Sequence, residues 1–372
     1  MSEQVLMKSG LGADAVDRIA RVLSALMNDF PEQEFRQDAL HGLDDLELKQ
    51  RVEHLIVVLA QYLPANFSQA AELLLHIKAH WDWGDECDAL SSFAAWPLID
   101  YVAAYGLKQP ELSLTVLKQL TPLFSAEFAI RAFIDKHFEL THDVLLSWTS
   151  DSDEHVRRLA SEGIRPRLPW GRRLITLCEN PDPIWPILEQ LKDDPSLYVR
   201  KSVANNLNDI AKDNPDKVIA LCRQWSNDAS AERKWLIRHA LRSLVKQGRQ
   251  EVFPLLGFSE HISVIINAFE LSNKTVHLGE NLHIDLVLTS SSEQIQKLVL
   301  DYKIHHMKAN GSSSSKVFKW KNITLQQDQQ LSLNKGHPFR VITTRKYYAG
   351  EHAIELLING KSVAQQKFEL LL

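Results

Sequence analysis

The densest group of chemically active side chains lies in residues 154–173, EHVRRLASEGIRPRLPWGRR. Arg158, Glu162 and Arg165 stand at positions i, i+4 and i+7, which predicts one carboxylate between two guanidinium groups on a helix face. A carboxylate oriented in this way can stabilise a positively charged reaction centre or position a water molecule. The alternative is an ordinary salt-bridged surface face.

The residues around this group predict a helix followed by a stiff loop. Apolar residues recur at helical spacing, namely Val156, Leu159, Ala160, Gly163 and Ile164. Pro166 and Pro169 then end the helix, because proline lacks an amide hydrogen and disfavours a helical predecessor. The loop presents one aromatic and three cationic side chains, Trp170, Arg167, Arg172 and Arg173. So many guanidinium groups exceed what a core helix requires, and they indicate anion binding.

Three segments share a β-branched residue, an adjacent arginine and an apolar stripe. Val156, Val199 and Ile237 are equivalent, 43 and 38 residues apart, a period typical of HEAT-type helical pairs. Stacked pairs place equivalent positions in one row, so their cations are expected to follow a phosphate backbone. Those cations are Arg157, Arg158, Arg200, Lys201, Lys234, Arg238 and Arg242. For the third segment alone, a solvated face explains the charges equally well.

Further candidates lie on neighbouring helices. In AEFAIRAFIDKHF, Glu127, Arg131 and Asp135 are spaced four apart, which predicts an ion-pair ladder on one helix face. Trp96 and Asp100 are also four apart and share a face, although core packing is the default explanation for Trp96.

Two other polar groups have open interpretations. Asn205, Asn206 and Asp209 lie on one predicted helix, and the paired asparagines in its middle indicate either a ligand-facing surface or hydrogen bonds between stacked helices. The acidic cluster between His80 and Asp88 has no standard metal spacing, so an acidic loop is favoured over a metal site.

From about residue 262 the hydrophobic period changes from helical to alternating. Segments such as LHIDLVLTS, IQKLVLDYKIHH and HAIELLING, separated by Asn, Gly and Ser turns, predict an immunoglobulin-like β-sandwich over 262–372 that lacks a disulfide. A basic and aromatic patch on this domain is expected to contact DNA; its members are Lys303, His305, His306, Lys308, Lys316, Lys319, Trp320 and Lys321. A passive stabilising module is the alternative.

Composition sets the remaining bounds. The net charge of −5 over 372 residues is unevenly distributed: residues 1–100 carry 17 acidic and 7 basic side chains, whereas residues 101–259 carry 20 and 22. Three scattered cysteines provide neither a disulfide framework nor zinc spacing, which favours a reducing cytoplasm. No signal peptide, membrane span, glycine-rich phosphate loop or Ser–His–Asp spacing is found, so carboxylates and arginines are the expected catalytic tools.

EFAIRAF, HVRRLASEGIRPRLPWG and YVRKSVANNLNDIAK resemble the bacterial AlkC-type DNA alkylation-repair glycosylases, the sister branch of AlkD, in the form with a C-terminal immunoglobulin-like domain. The resemblance implies a HEAT-like helical domain over 1–258. It also implies excision of 3-methyladenine and 3-methylcytosine without cofactor or metal, and without drawing the base into a pocket.

The family's functional positions fall on Glu127, Glu162, Arg157, Arg158, Arg165 and Trp170. Trp96 and Asp100 resemble the tryptophan–aspartate pair of the AlkD branch. That branch has a further tryptophan where this chain has Asn205, so its stacking role is not transferred.

These observations lead to one functional hypothesis. A carboxylate about 4 Å from the oxocarbenium-like sugar contributes ~4 kcal/mol at an effective dielectric constant of 20, roughly a thousandfold in rate. The candidates for this carboxylate, in order, are Glu162, Glu127 and Asp100.

The expected DNA contacts are Arg131, Arg157, Arg158, Arg165, Arg167, Trp170, Arg172, Arg200, Lys201, Asn205, Asn206, Arg238 and Arg242. The expected partner is double-stranded DNA with alkylated bases, bound by a monomer in the cytoplasm at the nucleoid. The alternative is a non-catalytic HEAT-repeat protein that binds DNA structures or a protein partner.

Overall fold

The computed structural model describes residues 6–85, 87–343 and 345–372. Glu86, a member of the acidic cluster, therefore lies outside the described residues. The chain divides into two compact units, the first ending at Asn214 and the second running Pro215–Leu372. Over the described ranges, no helix has both the length and the apolar character needed to cross a bilayer.

The first unit is entirely helical in its regular structure. Its helices are α1 (Ala13–Leu26), α2 (Glu32–Leu40), α3 (Leu48–Tyr62), α4 (Phe67–His80), α5 (Trp96–Tyr105), α6 (Pro110–Leu120), α7 (Ile130–Lys136), α8 (Phe138–Trp148), α9 (Glu154–Gly163), α10 (Ile175–Glu179), α11 (Trp185–Leu191) and α12 (Leu197–Ile210). Short 3₁₀ turns lie at Met7–Leu11, Leu43–Asp45, Ser91–Ala95 and Asp182–Ile184.

The second unit begins with helices and continues as strands. The helices are α13 (Pro215–Trp225), α14 (Ala231–Ala240), α15 (Arg242–Gln247) and α16 (Val252–Leu255). The strands are β1 (Val264–Leu271), β2 (Thr275–His277), β3 (Asn281–Ser290), β4 (Gln296–Met307), β5 (Ser313–Leu325), β6 (Gln330–Pro338), β7 (Gly350–Ile358) and β8 (Lys361–Leu371). The predicted fold class, helices followed by a β-sandwich, is confirmed. The division into domains 1–258 and 262–372 stays a prediction.

Local chemistry explains the helix at the centre of the predicted site. The Asp153 side chain caps α9 by accepting the amide hydrogen of His155, at 2.8 Å. Val156 and Leu159 are buried on its inner face. The helix ends at Gly163, where a Cβ atom would lie 2.6 Å from the Ile130 side chain. Glycine is therefore required for α9 to approach α7 this closely.

Helices α9 and α12 pack side by side, and small polar side chains join them. The Ser202 hydroxyl lies 3.0 Å from the Ser161 hydroxyl. The Asn206 amide donates to the Ser161 carbonyl oxygen at 2.8 Å, and Asn206 is fully buried. The structure thus contradicts a DNA contact by Asn206 and favours the hydrogen bond between stacked helices.

The sandwich pairs a three-stranded sheet, in the order β1-β3-β6, with a five-stranded sheet, β2-β8-β7-β4-β5. Alternating side chains from both sheets, among them Leu286, Ile304 and Leu356, form one core. Part of the predicted basic patch is not available at the surface. His306 is buried, and Lys303 and His305 both bind Glu355.

Candidate active site

Six side chains of alternating charge form a continuous series through the first unit, which we call the charge chain. In order they are Lys212, Asp209, Arg165, Glu162, Arg158 and Glu127. The successive ion pairs measure 2.7, 2.6, 2.5, 3.5 and 2.9 Å. Every member except Glu127 lies on or directly beyond α9 or α12, so the packing of these two helices assembles the series.

Glu162 lies inside the charge chain and is 4% exposed. Its Oε1 accepts a hydrogen bond from Arg165 at 2.5 Å and lies 3.5 Å from Arg158. Its Oε2 accepts a hydrogen bond from the Ser202 hydroxyl, also at 2.5 Å. The predicted placement of this carboxylate between two guanidinium groups is therefore found. Because both oxygens are occupied within the protein, the carboxylate is better suited to orienting Arg158 than to contacting a ligand.

Glu127 forms the end of the charge chain opposite Lys212, and its side chain is only partly exposed, at 15%. Its Oε2 accepts hydrogen bonds from Ser125 at 2.8 Å and from Arg158 at 2.9 Å. Within the described part of the chain, Oε1 makes no hydrogen bond, and the residue lines a cavity of about 340 Å³. Burial raises the pKa of the Glu127 carboxyl, the Arg158 charge opposes this increase, and the nearby Glu162 reinforces it.

Arg158 is fixed from several sides. Its guanidinium lies 4.7 Å from the centre of the Tyr198 ring, and it donates to the Ser125 hydroxyl at 2.9 Å. Burial lowers the pKa of Arg158, but the charges of Glu162 and Glu127 outweigh that effect and raise the pKa overall. The Glu127–Arg158 pair is accordingly a rigid, charged wall of the cavity.

A second cavity, of about 210 Å³, contains the third candidate carboxylate. Asp100 Oδ2 accepts a hydrogen bond from the Trp96 indole at 2.8 Å. Asp100 Oδ1 is buried and has no hydrogen-bond partner among the described residues. Burial raises the pKa of Asp100 to about 7, while the Trp96 hydrogen bond and the Lys49 charge oppose the increase.

Trp170 contributes to the rim of the Asp100 cavity. Its backbone is left-handed, with a φ of 62°, and the ring is 56% exposed. The Lys49 ammonium donates to the Trp170 carbonyl oxygen at 2.6 Å and holds the loop in place. A positive φ is uncommon for a non-glycine residue, and such strain is concentrated at functional sites.

An aromatic wall connects the two cavities. The Trp96 ring stacks on Phe124 at 5.1 Å and on Phe128 at 5.3 Å between ring centres. Phe124 lines the Glu127 cavity, whereas Phe128 lines the Asp100 cavity. One surface thus combines stacked rings with two carboxylates, an arrangement that favours a cationic ligand.

Replacing Asp100 by Asn should stabilise the fold at neutral and basic pH. The folded-state pKa of about 7 lies above the ordinary value of 3.8, so stability is highest at acid pH and falls as the pH rises towards 7. We expect Asp100→Asn to be about 1–3 kcal/mol more stable than the wild type above pH 7, a value reduced for partial solvent screening. Urea unfolding at several pH values measures the difference. Equal stability of the two proteins at basic pH would show that the ionised Asp100 carboxylate does not destabilise the fold.

A carboxyl group that lowers the stability of the fold is a candidate functional group.

The structure corrects two predicted DNA contacts in the first unit. Arg131 is 1% exposed, and its guanidinium donates to the carbonyl oxygens of Gly163, Arg165 and Arg172. Arg165 is also buried, and its guanidinium is occupied by Glu162 and Asp209. Both side chains hold the loop after α9 and are not accessible to DNA.

The predicted ladder of Glu127, Arg131 and Asp135 is likewise wrong. Helix α7 begins at Ile130, so Glu127 precedes the helix and turns to Arg158 instead of Arg131. Asp135 lies near Arg172 at 3.6 Å. Glu127 does not meet Arg131 because it lies outside the helix. Arg131 does not pair with Asp135 because its guanidinium is bound to backbone carbonyl oxygens.

The other predicted DNA contacts differ in their partners within the protein and in their exposure to solvent. Arg157 pairs with Asp194 at 2.7 Å, and Arg167 pairs with Asp213 at 2.5 Å. Arg200 donates to the carbonyl oxygen of Pro195. Among the predicted contacts of the first unit, Arg172, Lys201 and Trp170 are exposed to solvent and Asn205 is partly exposed. In the second unit, Arg238 is exposed on α14 and Arg242 is half-buried at the start of α15.

Several members of the site were not among the predicted residues. They are Lys49, Ser125, Phe128, Tyr198, Ser202 and Lys212. Asp209 was noted on its helix, but its pairing with Arg165 was not predicted, although the repeat period indicates it. An offset of 43 residues from Arg165 leads to position 208, next to Asp209, and the observed offset between the paired residues is 44. Over the described ranges, no group of three or more His, Cys, Asp or Glu side chains is arranged to hold a metal ion.

Two family models match this chain in different regions. Residues 124–244 match the DNA alkylation repair enzyme family. Residues 265–372 match the C-terminal Ig-like domain of the uncharacterised protein YhaZ.

Two relatives match over most of the chain. Uncharacterized protein YhaZ of Bacillus subtilis strain 168 is 37% identical over 322 residues, covering 87% of each chain. The structure of the Pseudomonas fluorescens alkylpurine DNA glycosylase AlkC, bound to DNA containing an abasic site analog, is 37% identical. It covers 99% of this chain and 100% of that chain, with a TM-score of 0.92.

Proposed function

Because the chain belongs to the family of DNA alkylation repair proteins that includes YhaZ and AlkC, we propose that it is a DNA glycosylase of base excision repair. Its proposed substrates are cationic alkylated bases in double-stranded DNA, 3-methyladenine and 3-methylcytosine, cut at the N-glycosidic bond. The proposed reaction requires no metal or cofactor, and the damaged base is not drawn into a pocket of the protein. We expect a monomer that acts in the cytoplasm at the nucleoid.

The observation that carries the proposal is the end of the charge chain at Glu127. Alkylation at N3 makes the base a cationic leaving group, so its departure requires no general acid. The remaining barrier is the positive charge that develops on the deoxyribose. A carboxylate with one oxygen facing a cavity can stabilise that charge and orient the attacking water.

The charge chain also explains how Glu127 is kept in position. Arg158 holds one of its oxygens, and Arg158 is balanced on its other side by Glu162. We therefore assign the contact with the sugar to Glu127 and a positioning role to Glu162, the reverse of the order expected from the sequence. Asp100 is the third carboxylate. Its Oδ1 has no hydrogen-bond partner among the described residues, so it can contact a cationic group of a ligand that lies on the aromatic wall.

Selectivity for damaged DNA is assigned to the aromatic groups. The exposed ring of Trp170 can lie against a cationic nucleotide, an interaction worth ~0.5–2 kcal/mol that is present only when the base is charged. The solvent-accessible cations Arg172 and Lys201 are suited to the flanking phosphates, which position the duplex without reading its sequence.

The test is the release of free bases from a methylated duplex by the purified full-length protein, analysed by chromatography. We expect free 3-methyladenine and 3-methylcytosine, with the duplex left abasic at those positions. Tight binding of methylated DNA without any base release would favour the alternative, a non-catalytic HEAT-repeat protein that binds DNA structures.

A further inference from the structure

A cavity with strong positive charge lies in the second unit, between helices α14 and α15 and strands β4 and β5. Its volume is about 160 Å³. Four of the side chains that line it are cationic, namely Arg238, Arg242, Lys246 and Lys319, against one carboxylate, Asp301. The floor is apolar and includes Phe258 and Val299.

Three of the four cations make no ion pair within 4 Å in the described part of the chain. Arg238, Lys246 and Lys319 make no ion pair there, while Arg242 donates to the carbonyl oxygen of His239. Cations brought together around one recess repel each other, and this repulsion is relieved when an anion enters. The cavity is therefore built to receive negative charge.

Asp301 is the unusual member of this cavity. It is 4% exposed, lies opposite Lys319 in the β4–β5 ladder, and its Oδ1 has no hydrogen-bond partner among the described residues. Burial raises the pKa of Asp301 to about 6, while a backbone hydrogen bond from Trp320 and the charges of Lys319 and Lys246 oppose the increase. An unsatisfied buried oxygen costs free energy, so its retention calls for a partner.

We propose that this cavity binds a phosphate group, with Arg238, Lys246 and Lys319 as its cationic ligands and the Asp301 carboxyl as a proton-dependent donor. This inference rests on the proposed function in one respect, since it assigns the phosphate to the backbone of bound DNA. When Asp301 is protonated, its hydroxyl donates to a phosphate oxygen. When it is ionised, it repels the phosphate.

The groups that face Asp301 are consistent with such a switch. Lys319 approaches from β5, Lys246 and Arg242 from α15, and Arg238 from α14. On the other neighbouring strand, β7, the residue opposite Asp301 is the uncharged Leu357. Asp301 is thus the group in this cavity whose charge changes near neutral pH, and lower pH should favour phosphate binding.

The test compares the full-length wild type with Lys319→Gln, Asp301→Asn and the control Lys361→Gln, an exposed sandwich lysine that does not line the cavity. Duplex affinity is measured by fluorescence anisotropy over a range of salt concentrations. We expect Lys319→Gln to weaken binding about three- to tenfold and to reduce the slope of log K against log salt by about 0.9. Lys361→Gln should match the wild type.

Asp301→Asn provides the second, independent readout. It should bind DNA more tightly than the wild type above about pH 7, and the two proteins should converge below about pH 5. Circular dichroism checks that each variant is folded. Folded Lys319→Gln and Asp301→Asn with the affinity, salt slope and pH dependence of the wild type would overturn the inference.

Two further experiments are needed. The first distinguishes free phosphate from the phosphate of DNA, and the second distinguishes failure of the phosphate site from failure of the proposed function. Titration with inorganic phosphate should weaken DNA binding of the wild type more than chloride of equal ionic strength, and Lys319→Gln should lose this difference. Phosphate binding with unchanged DNA affinity of Lys319→Gln would overturn the assignment to DNA. Absence of base release by the wild type, alongside the expected salt slopes, would remove the proposed function and leave the phosphate site standing.

Discussion

Glu127→Gln should reduce the single-turnover rate of 3-methyladenine release by about a thousandfold. The substitution keeps the size of the side chain and its capacity to accept hydrogen bonds from Ser125 and Arg158. It removes the negative charge that we place near the sugar, which contributes ~4 kcal/mol at 4 Å and an effective dielectric constant of 20. Release is measured with enzyme in excess over a methylated duplex.

Two comparisons make this prediction specific. Glu139→Gln changes an exposed glutamate of α8 in the same unit and should retain the wild-type rate. Affinity of Glu127→Gln for a duplex with an abasic-site analogue should be at least that of the wild type, because removing a carboxylate does not weaken phosphate contacts. A Glu127→Gln rate within a fewfold of the wild type would refute the catalytic role of Glu127.

Arg165→Gln should destabilise the protein by about 3–5 kcal/mol. Arg165 bridges Glu162 at 2.5 Å and Asp209 at 2.6 Å, and all three groups are buried. Its removal leaves two carboxylates without their shared partner, and an uncompensated buried charge costs this much. Thermal unfolding measures the loss, which corresponds to roughly 10 °C in Tm for a unit of this size.

Arg167→Gln is the matched control, because it removes an arginine–aspartate pair of similar geometry from the same loop. Arg167 binds Asp213 at 2.5 Å, but both partners are about one-quarter exposed. The cost of losing a solvent-accessible pair is ~1 kcal/mol or less. The double variant Arg165→Gln/Asp209→Asn should recover part of the stability lost in Arg165→Gln. Equal losses in the two single variants would mean that the buried charge chain adds nothing beyond a surface pair.

Periodicity predicted the architecture because it follows directly from burial. The helical stripe around Val156 and the alternating pattern of LHIDLVLTS each place apolar residues on one side of an element, and both elements are found. The resemblance to the AlkC family, based on segments such as HVRRLASEGIRPRLPWG, is confirmed as well. The position of Glu162 between Arg158 and Arg165 was predictable because all three lie within two turns of one chain segment.

The burial and the binding partners of individual arginines could not be predicted in the same way. Arg131 and Arg172 look alike in the sequence, yet the first is buried among carbonyl oxygens and the second is exposed. The difference depends on how the loop after α9 folds back over α7, which spacing does not report. Similarly, Asp209 joins the charge chain from another repeat, so only the stacking of α9 on α12 shows that it pairs with Arg165. The pockets at Glu127 and Asp100 also arise from tertiary packing.

The most direct test of the central claim uses the charge of the leaving base. The claim is that a fixed carboxylate stabilises the sugar cation while the base departs without being protonated. Single-turnover excision by the wild type is compared on duplexes containing 3-methyladenine or its neutral isostere 3-deaza-3-methyladenine, with binding measured in parallel. The account predicts release of the cationic base, dependent on Glu127, and binding without release of the neutral one. Comparable release of both bases would show that the enzyme protonates its leaving group and would contradict the account.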